Sequence, residues 1–223
     1  MIKFNKMYEL AARRKGGEEA LDALLATPLS AGALAGIADD RWLSTLSRCV
    51  FQAGFNWKVV DKKWPDFEVV FGGFNTRRWM YMSDDDFERL MKDRRIIRNA
   101  TKILSVRDNA TLLYDLAQAH GSAAAFFAGW PAEDYVELLL LLKKRGSRLG
   151  GRSAQYFLRF MGKDSFILSR DVVTALIREG VVNGEPTSQR DLRAVQQAFN
   201  QWCQQSGRPL THVSQVLAYT VGA

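Results

Sequence analysis

Cysteine is scarce in this chain. Only Cys49 and Cys203 occur in 223 residues, both in stretches that read as helical, so no disulfide framework is expected and a reducing compartment is the simpler setting. Long apolar runs are missing as well. None approaches the roughly 18 residues of a membrane span, and the longest, 136–142, suits a buried helix segment. The N-terminus carries no secretory pattern, because Arg13, Arg14 and Lys15 follow a short mixed segment instead of leading an apolar one. These absences point to a cytoplasmic protein with no membrane partner. Strand-like alternation is nearly absent, and only the five residues 67–71 invite a strand. Repeats and low-complexity tracts are not seen.

What is present suits a helical globular protein. Hydrophobic residues make up 47% of the chain, ample for a core, and 31 Lys+Arg against 24 Asp+Glu give a net charge of +7, which favours a polyanionic partner. Ser83 with Asp86, and Ser188 with Asp191, have the spacing of capping boxes before apolar-periodic segments. Ile97, Ile103, Leu104, Leu112, Leu113 and Leu116 recur at helical spacing across one long or broken helix. The pattern predicts an all-α fold of about ten helices, and the length allows one domain or two packed helical subdomains. Residues 1–38 read as an N-terminal helical extension and 39–223 as the main domain.

The stretch Ser147-Arg148-Leu149-Gly150-Gly151-Arg152-Ser153-Ala154 is the strongest local signal. Two adjacent glycines permit a tight turn whose N–H groups can approach a large anion, and a helix opening at Arg152 adds its positive end. Lys143, Lys144, Arg145, Arg148 and Arg152 surround that turn within ten residues, as a phosphate-binding site would require. Asp171 follows Gly150 by 21 residues, just before the apolar-periodic Val172, Val173, Leu176 and Ile177. It reads either as a carboxylate available for chemistry or as the N-cap of that helix, with Ser169 as the competing cap.

This arrangement resembles the helix-hairpin-helix DNA glycosylases, and two upstream stretches are similar to the bacterial 3-methyladenine DNA glycosylase I family. One is Gln52-Ala53-Gly54-Phe55-Asn56-Trp57, with Val60, Lys62, Lys63 and Phe67 behind it. The other is 86–93 running into Ile96-Ile97-Arg98-Asn99, Lys102-Ile103 and Asn109-Ala110. The resemblance implies a hairpin near 140–162 that holds duplex DNA through Arg148, Gly150, Gly151, Arg152 and Ser153. It also implies a pocket for an extruded damaged base, with Trp57 stacking on the base and Phe51, Phe55, Asn56 and Cys49 around it. Asp171 would stabilise the oxocarbenium-like sugar and position water. Each aromatic has an ordinary alternative as a core residue.

Four departures qualify the resemblance. Arg148 stands where the superfamily has glycine. Arg152 stands where members that also cut the strand have a lysine nucleophile, and arginine does not lose its proton to become one. Cys49 occupies the place of the glutamate that reads alkylated adenine. The family's zinc site is missing too, since His120, His212 and Cys203 lack ligand spacing. No zinc, iron–sulfur cluster or organic cofactor is expected, although the hairpins of relatives hold a monovalent cation. The expected activity is that of a monofunctional, monomeric glycosylase of base excision repair, acting at the bacterial nucleoid on an alkylated purine in double-stranded DNA. A non-catalytic module for damaged DNA is the alternative.

Overall fold

The computed structural model describes residues 2–221, and no strand occurs among them. In chain order the helices are α1 (Phe4–Lys15), α2 (Glu18–Asp22), α3 (Ala31–Ala35), α4 (Asp39–Gln52), α5 (Trp57–Val70), α6 (Thr76–Trp79) and α7 (Asp84–Lys92). There follow α8 (Ala100–His120), α9 (Ala123–Gly129), α10 (Tyr135–Arg145), α11 (Arg152–Phe160), α12 (Arg170–Arg178), α13 (Gln189–Ser206) and α14 (Leu210–Tyr219). The all-α class stands. The helices outnumber the ten expected because short ones such as α2, α3 and α6 are one or two turns long and lack a periodic apolar stripe in the sequence. No helix of the described residues is long and apolar enough to cross a membrane.

The chain folds into two compact units. The first comprises the described residues up to Leu29, Pro131–Leu138, and Gly162 onward; the second comprises Ser30–Trp130 and Leu139–Met161. This division differs from the boundary at residue 38 expected from the sequence. In the first unit α1 buries Phe4, Met7 and Ala11 and packs against α13 and α14. The Trp202 indole donates to Ile2 O at 3.0 Å, and the amide of Phe4 donates to Gln205 Oε1 at 2.8 Å. Residues 2–29 are thus bound to the C-terminal helices by core burial as well as hydrogen bonds. The core of this unit is a ring cluster in which Phe166 stacks on Phe199 at 4.4 Å and meets Tyr135 edge-on at 4.8 Å.

The second unit is organised by α4, which packs against α5, α8, α9 and α11. Trp42, Leu43, Leu46, Cys49 and Val50 are buried along it. Trp42 stacks on Phe127 at 4.5 Å and meets Phe157 of α11 at 5.8 Å. Asp39, at the start of α4, accepts from the amides of Ala123 and Ala124 and so closes the N-terminus of α9.

The strand suggested at 67–71 is not formed; these residues end α5 and continue into the cap at Phe71. Val60, Trp64, Phe67 and Phe71 are all buried, a spacing of four, three and four that puts one apolar stripe on a helix. A five-residue window was too short to separate that stripe from alternation. The expected capping box is present in full, with the amide of Asp86 donating to Ser83 Oγ and the amide of Ser83 donating to Asp86 Oδ2, both at 3.1 Å. At α13, Ser188 Oγ accepts from the amide of Asp191 at 3.0 Å.

Candidate active site

Two helices joined by a short turn span the segment expected to form the hairpin. Helix α10 ends at Arg145 and α11 begins at Arg152, with the glycine-containing turn between them. Gly146 is required by space: a Cβ there would stand 2.5 Å from Leu149 Cδ1 and 2.8 Å from Leu142 O. Leu149 is buried and anchors the turn, while Arg148, Gly150, Gly151 and Arg152 are exposed and Ser153 is half-buried. Arg148 adopts φ 62°, in the left-handed region, and Gly151 has φ 58° with ψ −132°. The turn therefore keeps a glycine-type backbone at Arg148, paying for it with steric strain in an L-residue.

Asn109 of α8 holds this turn. Its side-chain Nδ2 donates to Ser147 O at 3.0 Å and its Oδ1 accepts from Ser147 N at 2.9 Å. The Ser147 carbonyl is thereby hydrogen-bonded within the protein. Among the exposed basic residues around the turn, Arg145 pairs with Asp115 at 3.7 Å.

A cavity of about 370 Å³ opens beside α11, lined by Cys49, Gln52, Ala53, Gly54, Trp57, Arg152, Ser153 and Tyr156. It unites the end of α4 and the start of α5 with the first turn of the hairpin's second helix, which lies about a hundred residues later in the chain. Trp57 is 38% exposed. It meets Tyr156 at 4.8 Å and Phe160 at 6.2 Å with ring planes near perpendicular, so its ring packs on α11 while remaining partly exposed. Cys49 is buried, and burial pushes its thiol up to about 12. It presents a neutral S–H, a weak hydrogen-bonding group.

Other expected pocket residues lie elsewhere. Phe51 is fully buried, 4.7 Å from Phe67 and 6.5 Å from Trp64, and belongs to the core because it sits on the inner face of α4. Asn56 caps α5, accepting from the amide of Lys58 at 3.0 Å. Phe55 is exposed outside the cavity wall, with Lys102 Nζ 4.3 Å from its ring centroid.

Sequence reasoning missed three residues. Gln52 and Tyr156 line the cavity; the one-turn spacing of Tyr156 and Phe160, off phase with buried Phe157, was the available signal for the second. Lys102 is the third. It is buried, and its ammonium donates to the carbonyls of Phe51 at 3.0 Å and Ala53 at 2.6 Å. It closes the C-terminal end of α4 and secures the turn leading to Trp57. Desolvation, with a smaller contribution from Arg148, lowers it to about 8.

Asp171 belongs to the first unit, in the exposed first turn of α12. The cap of that helix is Ser169, whose hydroxyl accepts from the amide of Val172 at 3.2 Å. Asp171 is not the N-cap. No group of three His, Cys, Asp or Glu suited to a metal occurs among the described residues.

The class of fold is shown by a whole-chain likeness. A solved 8-oxoguanine glycosylase/lyase of Methanocaldococcus jannaschii, in complex with DNA containing 8-oxoguanine, matches 96% of this chain and 96% of its own at a TM-score of 0.53 and 15% identity. The architecture is that of the helix-hairpin-helix DNA glycosylases. Residues 36–138 match the model of the methyladenine glycosylase family, and the resemblance read from the motifs stands. DNA-3-methyladenine glycosylase 1 of Escherichia coli (strain K12) is 34% identical over 67 residues, 30% of this chain. The match spans only 36% of that relative's length. A solved 3-methyladenine DNA glycosylase I is 25% identical over 63% of this chain and 84% of its own, with a TM-score of 0.49.

Proposed function

We propose that the protein is a DNA glycosylase that extrudes a damaged purine from duplex DNA and hydrolyses its N-glycosidic bond. The observation that carries this reading is the cavity in which Trp57 and Cys49 share a wall with Arg152 and Ser153 of the hairpin. A base that enters it is beside the groups suited to its own phosphate backbone. Trp57 offers the aromatic face on which an electron-poor alkylated base stacks well. The amides at the start of α11, together with Arg148 and Arg152, grip the backbone. Asp171 stabilises positive charge developing on the sugar and orients the attacking water, a use for which its release from capping by Ser169 leaves it available. An alkylated purine is the substrate favoured by the names of the methyladenine relatives. The enzyme works as a monomer in the cytoplasm.

Strand cleavage is not part of the activity, because Arg152 supplies no neutral amine to attack C1′. Glycosidic hydrolysis by these residues needs no organic cofactor. The test is release of free bases from methylated duplex DNA. Wild type should release alkylated purine and leave the strand uncut without alkali; Trp57→Ala and Asp171→Asn should each cut the rate at least about tenfold, Asp171→Asn with DNA binding intact. Binding that weakens with salt but no base release by wild type would favour the non-catalytic module, the reading that the neutral thiol of Cys49 supports.

A further inference from the structure

Gln52 is a buried polar residue of the cavity wall, 2% exposed. Its amide nitrogen donates to Asp61 Oδ1 at 2.7 Å, and the same oxygen accepts from Arg48 Nε at 2.9 Å. A carboxylate only accepts, so chemistry fixes which way the amide faces: reversing it would set two oxygens against each other. Asp61 and Arg48 do not line the cavity. The other corner of the amide, Oε1, shows less than 1 Å² to solvent and has no hydrogen-bond partner among the described residues. A buried acceptor without a donor is costly, and such an atom at a ligand cavity marks a place where the ligand brings the donor. Cys49, in the same wall, is a neutral thiol and a poor substitute for a directed acceptor.

We propose that Gln52 is the base-reading residue of the cavity. Its Oε1 accepts an N–H from the 6-amino group of the extruded purine while Trp57 stacks on the ring, and the side chain turns slightly toward the entering base to make the bond. Arg48 and Asp61 are positioning residues that hold the amide nitrogen and thereby present the oxygen. The pocket selects purines that carry an amino group at position 6 over those with hydrogen there, or with an oxygen that would face Oε1 lone pair to lone pair. This inference rests on the glycosylase reading and names the specificity of that same site.

The experiment compares the affinity of the full-length protein for free 3-methyladenine and for 3-methylpurine, which lacks the 6-amino group, by calorimetry. Wild type should bind 3-methyladenine about tenfold more tightly. Gln52→Met, close in shape but without an acceptor, should bind the two bases within about twofold of each other. Asp61→Asn, which lets the Gln52 amide reverse, should also narrow the preference. A folded Gln52→Met protein that keeps the wild-type preference overturns the assignment, and so does one that loses affinity for both bases equally, the mark of a packing role. Wild-type protein that releases bases from methylated DNA but does not distinguish the two free bases sinks the role of Gln52 alone. Protein that neither binds a base nor releases one sinks the glycosylase reading and this inference with it.

Discussion

Asn109 grips the backbone of Ser147 with both halves of its side-chain amide, across 38 residues of sequence. One buried residue of α8 thus satisfies a donor and an acceptor in the hairpin turn and sets the direction from which the chain enters Arg148. The hairpin's conformation depends on a residue that never meets the proposed ligand.

Replacing Asn109 with alanine leaves the amide and carbonyl of Ser147 without their partners in a part-buried turn. The expected loss is about 1–3 kcal/mol of stability, with DNA affinity falling beyond what partial unfolding explains. Urea denaturation beside a DNA titration measures both. Unchanged stability would show that water replaces the clamp.

Arg148 sets backbone strain against charge. Its left-handed conformation costs roughly 1–2 kcal/mol, whereas glycine there would cost about 0.5–1 kcal/mol in unfolded-chain entropy. Relief of strain is the larger, so Arg148→Gly should be more stable by up to about 1.5 kcal/mol. The same variant should bind DNA more weakly, with the slope of log affinity against log salt shallower by about one. A less stable variant would contradict the strain at Arg148, and an unchanged salt slope would contradict its assignment to the backbone grip.

The buried Lys102 makes stability depend on pH above neutrality. It titrates near 8 in the folded protein, against an ordinary lysine value of 10.5. Below pH 8 both folded and unfolded chains hold the proton, and the burial penalty is felt in full. Between 8 and 10.5 the unfolded chain holds more of the proton, so the contribution of Lys102 to stability rises with pH, by at most about 1.4 kcal/mol per unit. Lys102→Met should lose this rising component, as read from denaturation curves across that window. An identical pH profile in the variant would remove Lys102 as its source.

Burial of Cys49 should silence it as a nucleophile. With its thiol pushed up to about 12, as is that of Cys203, the thiolate fraction at pH 8 is roughly a thousandfold below that of a free cysteine. Iodoacetamide followed by mass spectrometry should find both cysteines slow to react in the native protein and fast in urea. Rapid native labelling of Cys49 would mean that the cavity wall opens.

Much of the architecture was legible because it is written locally. The capping box at Ser83 and Asp86 uses three consecutive spacings along one chain segment, and the hairpin turn uses adjacent glycines and a helix start at Arg152. Both need no knowledge of distant partners. The aromatic assignments were harder. Phe51, Phe55 and Trp57 lie within seven residues, yet one is core, one sits under Lys102 and one faces the cavity. Their fates are decided by α4 ending at Gln52 and by what α5, α8 and α11 present to each ring. Gln52 itself was part of a visible motif, but its unpaired oxygen exists only because Asp61, one turn into the next helix, claims the nitrogen.

Helix formation and the basic glycine turn were determined by the sequence alone, since caps, periodicity and backbone freedom act over three to four residues. Which aromatic faces solvent, which helix Asp171 opens without capping, and which corner of Gln52 is left wanting a donor were decided only in the tertiary structure. Those outcomes depend on burial and on competition for hydrogen bonds between segments far apart in the chain, and neither can be counted until the segments meet.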